Sequence, residues 1–518
     1  MDRTHDPTAE AAERLRTLTH ELLSDLLHAS GAPLGSLVDG ALLPGDGEEL
    51  SLVDPATGEP WLTFRDAGPA AVEAAHASAR RAQGAWLALT AAARGRAMWE
   101  VGRLVRVRAA PLAELEARSS GQPIRDTRGV VAKVAEMFEY YAGWCDKLHG
   151  EVIPVPTTHL NYTRHEPVGT VVQITPWNAP LFTAGWQIAP ALCAGNAVIL
   201  KPSEFTPVTS LVLGKLCEEA GLPRGLVSVI AGQGRTAGQA AVAHRDTAMV
   251  VFVGSGQTGA AIAATAARNT VPCLLELGGK SANIVFSDAD LDRALLGAQA
   301  AVFSGAGQSC VAGSRLLIAR SIHERFVERL SRAAARIPVG RPADEGTQIG
   351  PINNARQHAR IAALVRQGVS EGARLAAGGG APAGREAGFF YAPTVLDGVD
   401  PGSTIAQQEV FGPVLAVIPF DDEEEAVALA NGTPYGLAGA VWTGEVGRAH
   451  RVAAAVRAGT FWINGYKTIG VMSPFGGFGR SGYGRSSGRE ALMAYTQTKS
   501  VWVETAANPP ATFGYAPD

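Results

Sequence analysis

No stretch of this 518-residue chain reaches the roughly 18–20 consecutive apolar residues that carry a helix across a bilayer, so no membrane-spanning role is expected. Cysteine is scarce: Cys145, Cys193, Cys217, Cys273 and Cys310 are scattered, odd in number and without a C-x-x-C pair. That excludes a zinc ribbon, argues against a disulfide framework and fits a reducing cytoplasm. No metal site is expected. Charge of one sign is lacking too: 45 Lys and Arg stand against 49 Asp and Glu, a formal net charge of −4. No basic run marks a nucleic-acid or membrane surface. The N-terminal stretch has no hydrophobic signal core, and Asp2, Asp6, Glu10 and Glu13 are out of place in an acid-poor transit peptide, so a cytoplasmic protein is expected. What the chain does have is length enough for two or three domains and 46% hydrophobic residues to fill their cores.

Leu15, Leu18, Leu22, Leu23, Leu26 and Leu27 fall at helical spacing, so 1–35 reads as an amphipathic helix appended to the body. A strand and turn are expected over 49–64, and several long helices over the Ala-, Arg- and Glu-rich stretch 70–145. Residues 151–167 become strand-like and proline-bearing, suited to an edge or an exchanged hairpin, with 489–505 as its partner. From Gly169 strands alternate with helices, the mark of a parallel α/β sheet: 170–174, 197–200, 226–230 and 249–253. After about 279 the alternation restarts, with strands at 283–286 and 315–318, a helix at 290–304, and helices near 321–335 and 353–372. The Gly-, Ala- and Pro-rich remainder of 340–400 reads as surface connections. The last dozen residues, with Pro509, Pro510 and Pro517, read as a loose tail.

Two motifs carry chemistry. Phe303-Ser-Gly-Ala-Gly-Gln-Ser-Cys310-Val-Ala-Gly-Ser-Arg315 sets a cysteine in a small-residue loop that another molecule can approach closely. Upstream, Glu276 sits in Leu274-Leu-Glu-Leu-Gly-Gly-Lys280, a carboxylate among apolar residues beside paired glycines. A thiol nucleophile and a poised carboxylate base are the parts of covalent catalysis. The bland readings are a small core residue for Cys310, as for Cys193, Cys217 and Cys273, and an ion pair with Lys280 for Glu276. A third motif, Gly254-Ser-Gly-Gln-Thr-Gly259, matches G-x-G-x-x-G after a strand, a pattern that is weak when alone.

Glu276-Leu-Gly-Gly-Lys followed by Gly307-Gln-Ser-Cys310 resembles the two signatures of the aldehyde dehydrogenase superfamily. Lys201-Pro-Ser-Glu204, Gln408-Glu-Val-Phe-Gly-Pro413, Thr433-Pro-Tyr-Gly-Leu437, Asn464-Gly465 and Pro474-Phe-Gly-Gly477 extend the likeness over roughly 50–500. The resemblance implies two Rossmann-like parallel-sheet domains with a small β oligomerisation arm. Residues 1–148 and 168–278 would bind the cofactor, 279–485 would be catalytic, 149–167 and 486–505 would form the arm, and 506–518 a tail. It implies a homodimer or homotetramer.

By the same resemblance Cys310 attacks the aldehyde carbon, Asn178 and the Cys310 amide hold the oxyanion, and Glu276 activates water. Asn178 could otherwise cap the helix that follows it. The implied cofactor is NAD, with NADP as the alternative: Glu204 would accept from a ribose hydroxyl and repel a 2′-phosphate. Cofactor contacts are expected at Ile174, Pro176, Trp177, Lys201, Ser203, Glu204, Gly234, Gly254, Ser255, Leu277, Glu409 and Phe411. The substrate side would be lined by Ala179, Trp186, Ile469 and Phe475. Ala179 and Ile469 stand where aromatics are common in the family, so the entrance is expected to be wide and apolar, without the aromatic box that a quaternary ammonium needs. The substrate expected is therefore a bulky apolar or aromatic aldehyde. Two other readings compete. A CoA-acylating enzyme generally lacks the base that Glu276 provides, and a catalytically silent protein on the same fold would have lost the nucleophile or the oxyanion donor.

Overall fold

The computed structural model describes residues 34–508 and 513–514. The helix expected over 1–35 and most of the tail lie outside them. Four long helices, Pro69–Ala88, Ala91–Val107, Ala109–Ser120 and Ile124–Ala142, precede the first parallel strands. Their apolar faces follow helical spacing; in Ile124–Ala142 the buried positions include Val131, Val134, Ala135, Phe138 and Tyr141. This face packs on the helix Pro180–Cys193, almost all of which is buried.

The alternating pattern builds two sheets. In the first, five strands lie parallel in the order Cys273–Glu276, Thr247–Val253, Thr170–Ile174, Ala197–Lys201 and Val227–Val229. Antiparallel strands close both edges: Gly482–Tyr483 beyond the first, Ser36–Val38 and Ala41–Leu43 beyond the last. The central strands are apolar on both faces because helices cover both, as parallel sheets require. In the second sheet six parallel strands run Thr394–Asp397, Val414–Phe420, Arg315–Ala319, Ala282–Val285, Ala438–Trp442 and Thr460–Ile463, with Arg374–Ala377 antiparallel at one edge. These are the two Rossmann-like sheets that the alternation implied. A third, three-stranded sheet pairs Thr496–Glu504 with His159–Pro167 over nine residues, and Val152–Ile153 beyond it.

One expectation fails. The stretch 340–400 is not all surface connection: Thr394–Asp397 is fully buried between two strands of the second sheet. Four residues bounded by Pro393 and Gly398 are too short to show a period, and Asp397 breaks the apolar run. The carboxylate is tolerated because His323 Nε2 (2.7 Å) and Arg374 Nη2 (2.6 Å) reach its oxygens.

The placement that matters is edge to edge. The carboxyl ends of Thr170–Ile174, Thr247–Val253 and Cys273–Glu276 run into 176–178, 254–255 and 277–280. Facing them are the loops that lead into Arg315–Ala319 and Val414–Phe420, which carry Cys310 and Glu409–Phe411. Loops at carboxyl strand ends are where open α/β sheets collect ligands.

Candidate active site

A cavity of about 200 Å³ is lined by Pro176, Trp177, Asn178, Gly254, Ser255, Glu276, Leu277, Cys310, Glu409 and Phe411. It adjoins a wider cleft of about 940 Å³, with Trp177, Ser255, Leu277 and Glu409 lining both and Phe205 and Gly256 lining the cleft. Residues from five separate stretches of sequence thus meet around one space, on the scale of a cofactor-sized site.

The two glycines after Glu276 make that meeting possible. A Cβ on Gly278 would lie 2.2 Å from Glu409 Oε2, and one on Gly279 would lie 2.7 Å from the Cys310 carbonyl oxygen. With neither present, the Gly279 N–H donates to Glu409 Oε1 at 3.0 Å. The loop of the first sheet therefore touches both the carboxylate and the cysteine loop of the second. The Glu409–Phe411 turn is held from behind by the helix Ala355–Ser370. Gln357 Nε2 donates to the carbonyls of Val410 and Phe411, both at 2.9 Å, and Arg360 Nη2 donates to that of Glu409 at 2.9 Å. Phe411 sits at φ 58° and stands edge-on to Trp177 with ring centroids 5.3 Å apart.

Asn178 points its amide at the cysteine loop: Nδ2 donates to the Gln308 carbonyl at 2.8 Å. An amide nitrogen has two N–H groups, so this bond orients the side chain and leaves one donor over. The Asn178 carbonyl accepts from Gln122 Nε2 at 2.5 Å, and Gln308 Oε1 accepts from the Asn353 N–H at 2.9 Å. Asn178 does not act as the helix cap; no side-chain bond caps Pro180–Cys193 at Ala179.

Glu276 is 5% exposed and does not pair with Lys280. Its Oε1 accepts from Ser486 Oγ at 2.5 Å, and its Oε2 has no hydrogen-bond partner. Burial pushes its carboxyl up to about 8, opposed by the Ser486 bond and the Arg485 charge. Burial likewise raises Glu409 to about 7 and brings Lys280 down to about 7. The Cys310 thiol is pushed up to about 12, by burial first and then by the Glu409 and Glu276 carboxylates; the N–H groups of Val311 and Cys310 pull the other way. A cation brought into the cavity would reverse that balance.

The remaining expected positions fall nearby. Ile174 ends its strand and is 8% exposed. Lys201 ends the next strand, with its ammonium 3.2 Å from Glu204 Oε2; Ser203 Oγ accepts from the Phe205 N–H, and Phe205 lines the wide cleft. Gly234 opens the helical turn Gly234–Gly238, which approaches Lys201 at its far end. Trp186 and Phe475 stand edge-on at 6.1 Å, and Cys310, Ile469 and Phe475 all pack against the small apolar cluster of Val311, Leu437 and Ala438. Ala179 contributes its carbonyl to Thr183 rather than a side-chain wall.

Sequence reading passed over Ser486, Gln122, Gln357, Arg360 and Lys467. Each acts through a long-range contact, and no local pattern distinguishes them from ordinary surface polar residues. Lys467 reaches the loop that leads to Cys310: its ammonium donates to Ser304 Oγ at 2.7 Å and to the Ser304 carbonyl at 3.3 Å.

A family model described as "Aldehyde dehydrogenase family" matches residues 43–501. The chain is 42% identical over 475 residues to a betaine aldehyde dehydrogenase of Bacillus subtilis, covering 90% of this chain and 97% of that one. It is 42% identical over 480 residues to the (Z)-2-((N-methylformamido)methylene)-5-hydroxybutyrolactone dehydrogenase of Acinetobacter baylyi, covering 92% and 96%. Among solved structures it resembles PnpE from Pseudomonas sp. WBC-3 in complex with nicotinamide adenine dinucleotide, at a TM-score of 0.91 and 42% identity over 93% of this chain and all of that one.

Proposed function

The chain belongs to the aldehyde dehydrogenase family, and on that footing we propose that it oxidises a bulky apolar or aromatic aldehyde to the carboxylic acid with NAD. The observation that carries the proposal is the convergence of Cys310, Asn178 and Glu276 on one cavity. The Cys310 sulfur attacks the aldehyde carbon. The free N–H of Asn178 and the Cys310 backbone N–H receive the oxyanion, donors fixed before the charge forms. NAD, when bound, would supply the hydride acceptor for the step from hemithioacetal to thioester at Cys310 and a positive ring that favours the thiolate. Glu276, once ionised, takes a proton from the water that attacks the thioester, and the acid leaves. An acid–base group near 8 titrates close enough to neutrality to do this.

The cofactor fits the residues at hand. Ser255, the N-cap of the helix Gly256–Ala267, offers a helix N-terminus to the pyrophosphate. Lys201 and Glu204 would take one ribose and Glu409 the other, with Phe411 and Trp177 against the nicotinamide. The Glu204 carboxylate favours NAD over NADP. We assign 168–278, with the helices before 148, to cofactor binding and 279–485 to catalysis. We assign 149–167 and 486–505 to assembly into a homodimer or homotetramer. Exposed Val152, Leu160, Trp502 and Val503 on the three-stranded sheet support that last assignment.

The substrate class rests on the wall formed by Trp186, Phe475, Ile469 and Val311. Relatives of equal identity carry different substrate names, betaine aldehyde and a hydroxybutyrolactone, so identity at this level leaves the choice to the pocket. The test is a panel of aldehydes with NAD and NADP, followed by absorbance of the reduced cofactor. Aromatic and long-chain aldehydes should be turned over with NAD, and Cys310→Ala should abolish the signal. Turnover confined to small or cationic aldehydes would refute the substrate class.

A further inference from the structure

The segment that carries Ile469 also carries a charge, Lys467, that the proposed reaction does not use. The segment after the strand Thr460–Ile463 is rigidly held. Asn464 bonds the backbone of Thr443 through both ends of its amide, at 3.1 and 3.0 Å. Tyr466 OH donates to the Val311 carbonyl at 3.0 Å, and Trp462 Nε1 donates to that of Thr468 at 3.0 Å. Lys467 lies between these anchors at φ 62°, a left-handed backbone uncommon for a lysine. Its ammonium rests on Ser304, six positions before Cys310; two positions beyond it, Ile469 packs, as Cys310 does, against the cluster of Val311, Leu437 and Ala438.

An ammonium has three N–H donors, and Ser304 takes two. Among the described residues no carboxylate bonds Lys467. The nearby acid, Asp126, lies 3.2 Å from Arg125. Ser304 and the charge of Asp126 offset only part of the desolvation of this half-buried ammonium, and an anionic group arriving with the substrate would offset the rest. Burial pulls Lys467 down to about 8, and the charges of Cys310 and Asp126 oppose that shift.

We propose that Lys467 anchors a carboxylate at the far end of the substrate, so that the aldehyde oxidised is an acid semialdehyde with an apolar or aromatic body. The inference rests on the reading of Cys310 as the nucleophile and extends it by naming the charge of the substrate. The same ammonium repels a quaternary ammonium, so it works against betaine aldehyde independently of the missing aromatic box.

The experiment compares para-carboxybenzaldehyde with its methyl ester, two substrates of one shape and different charge, on the full-length enzyme with NAD. The wild type should favour the acid in kcat/KM by about tenfold or more, the scale of one charge-assisted hydrogen bond, and the preference should shrink as salt rises. Lys467→Gln keeps a donor for Ser304 and removes the charge. It should lower kcat/KM for the acid by that factor, mainly through KM, and leave the ester within about twofold. Lys467→Arg should restore the acid preference. An acid-to-ester ratio near one in the wild type, which needs no variant, would overturn the proposal, as would an equal loss on both substrates in Lys467→Gln. Failure of the underlying reading has a different signature: neither aldehyde is oxidised, or Cys310→Ala leaves the rate unchanged.

Discussion

Replacing Ser486 by alanine removes one oxygen, and with it the only hydrogen bond that the buried Glu276 carboxylate receives among the described residues. The Ser486 backbone bond to the Phe475 carbonyl, 2.8 Å, is untouched, so the loop should keep its place. A hydrogen bond to a charged group is worth about 1.5–3 kcal/mol. At about 1.4 kcal/mol per unit, Glu276 should move up by about one to two units. Starting from about 8, it then titrates near 9–10. The direction matters: the base is the ionised form, which populates only as pH rises through that value. At about pH 7.5 the ionised fraction falls from about a quarter to between about 3% and 0.3%, a loss of about 8- to 75-fold in acyl hydrolysis. The assay is stopped-flow formation of reduced cofactor across pH. The first-turnover burst should persist, because the proposed role of Glu276 comes after hydride transfer, while the steady-state limb moves to higher pH. A steady-state profile that stays where the wild type has it, or loss of the burst itself, would refute the assignment of Glu276 as the hydrolytic base.

Gly278→Ala places a Cβ 2.2 Å from Glu409 Oε2, so the carboxylate must retreat by about 1 Å and release the Gly279 N–H. NAD affinity, followed by calorimetric titration, should weaken about tenfold or more, and a dissociation constant within twofold of wild type would remove Glu409 from the cofactor site. Leu396→Ala, in the buried strand Thr394–Asp397, should cost about 2–5 kcal/mol of stability. Urea unfolding that shifts by less than about 1 kcal/mol would show that this strand contributes little to the core.

The regular part of the fold was legible because it is periodic. Runs such as Thr170–Ile174 and Ala197–Lys201 are apolar on both faces and follow one another with helices between, which only a covered parallel sheet explains. Thr394–Asp397 escaped because four residues, one of them a buried aspartate, carry no period; its partners His323 and Arg374 are supplied from elsewhere in the chain. The site divides in the same way. Cys310, Glu276 and Asn178 stand in local motifs that announce chemistry. Ser486, Gln122 and Lys467 stand in unremarkable surroundings and act across gaps of 210, 56 and 163 positions.

By itself, then, the order of residues determined the family and the two alternating sheets, and singled out the groups proposed to react, because those properties reside in short patterns and in side-chain type. Tertiary structure alone decided how each group is tuned. Only folding puts Glu276 out of water against the Ser486 hydroxyl, brings the Glu409 carboxylate into the space left by Gly278, and sets the charge of Lys467 on Ser304 in the loop before Cys310. Proton affinity and charge recognition depend on distance and burial, and neither exists until the chain has closed on itself.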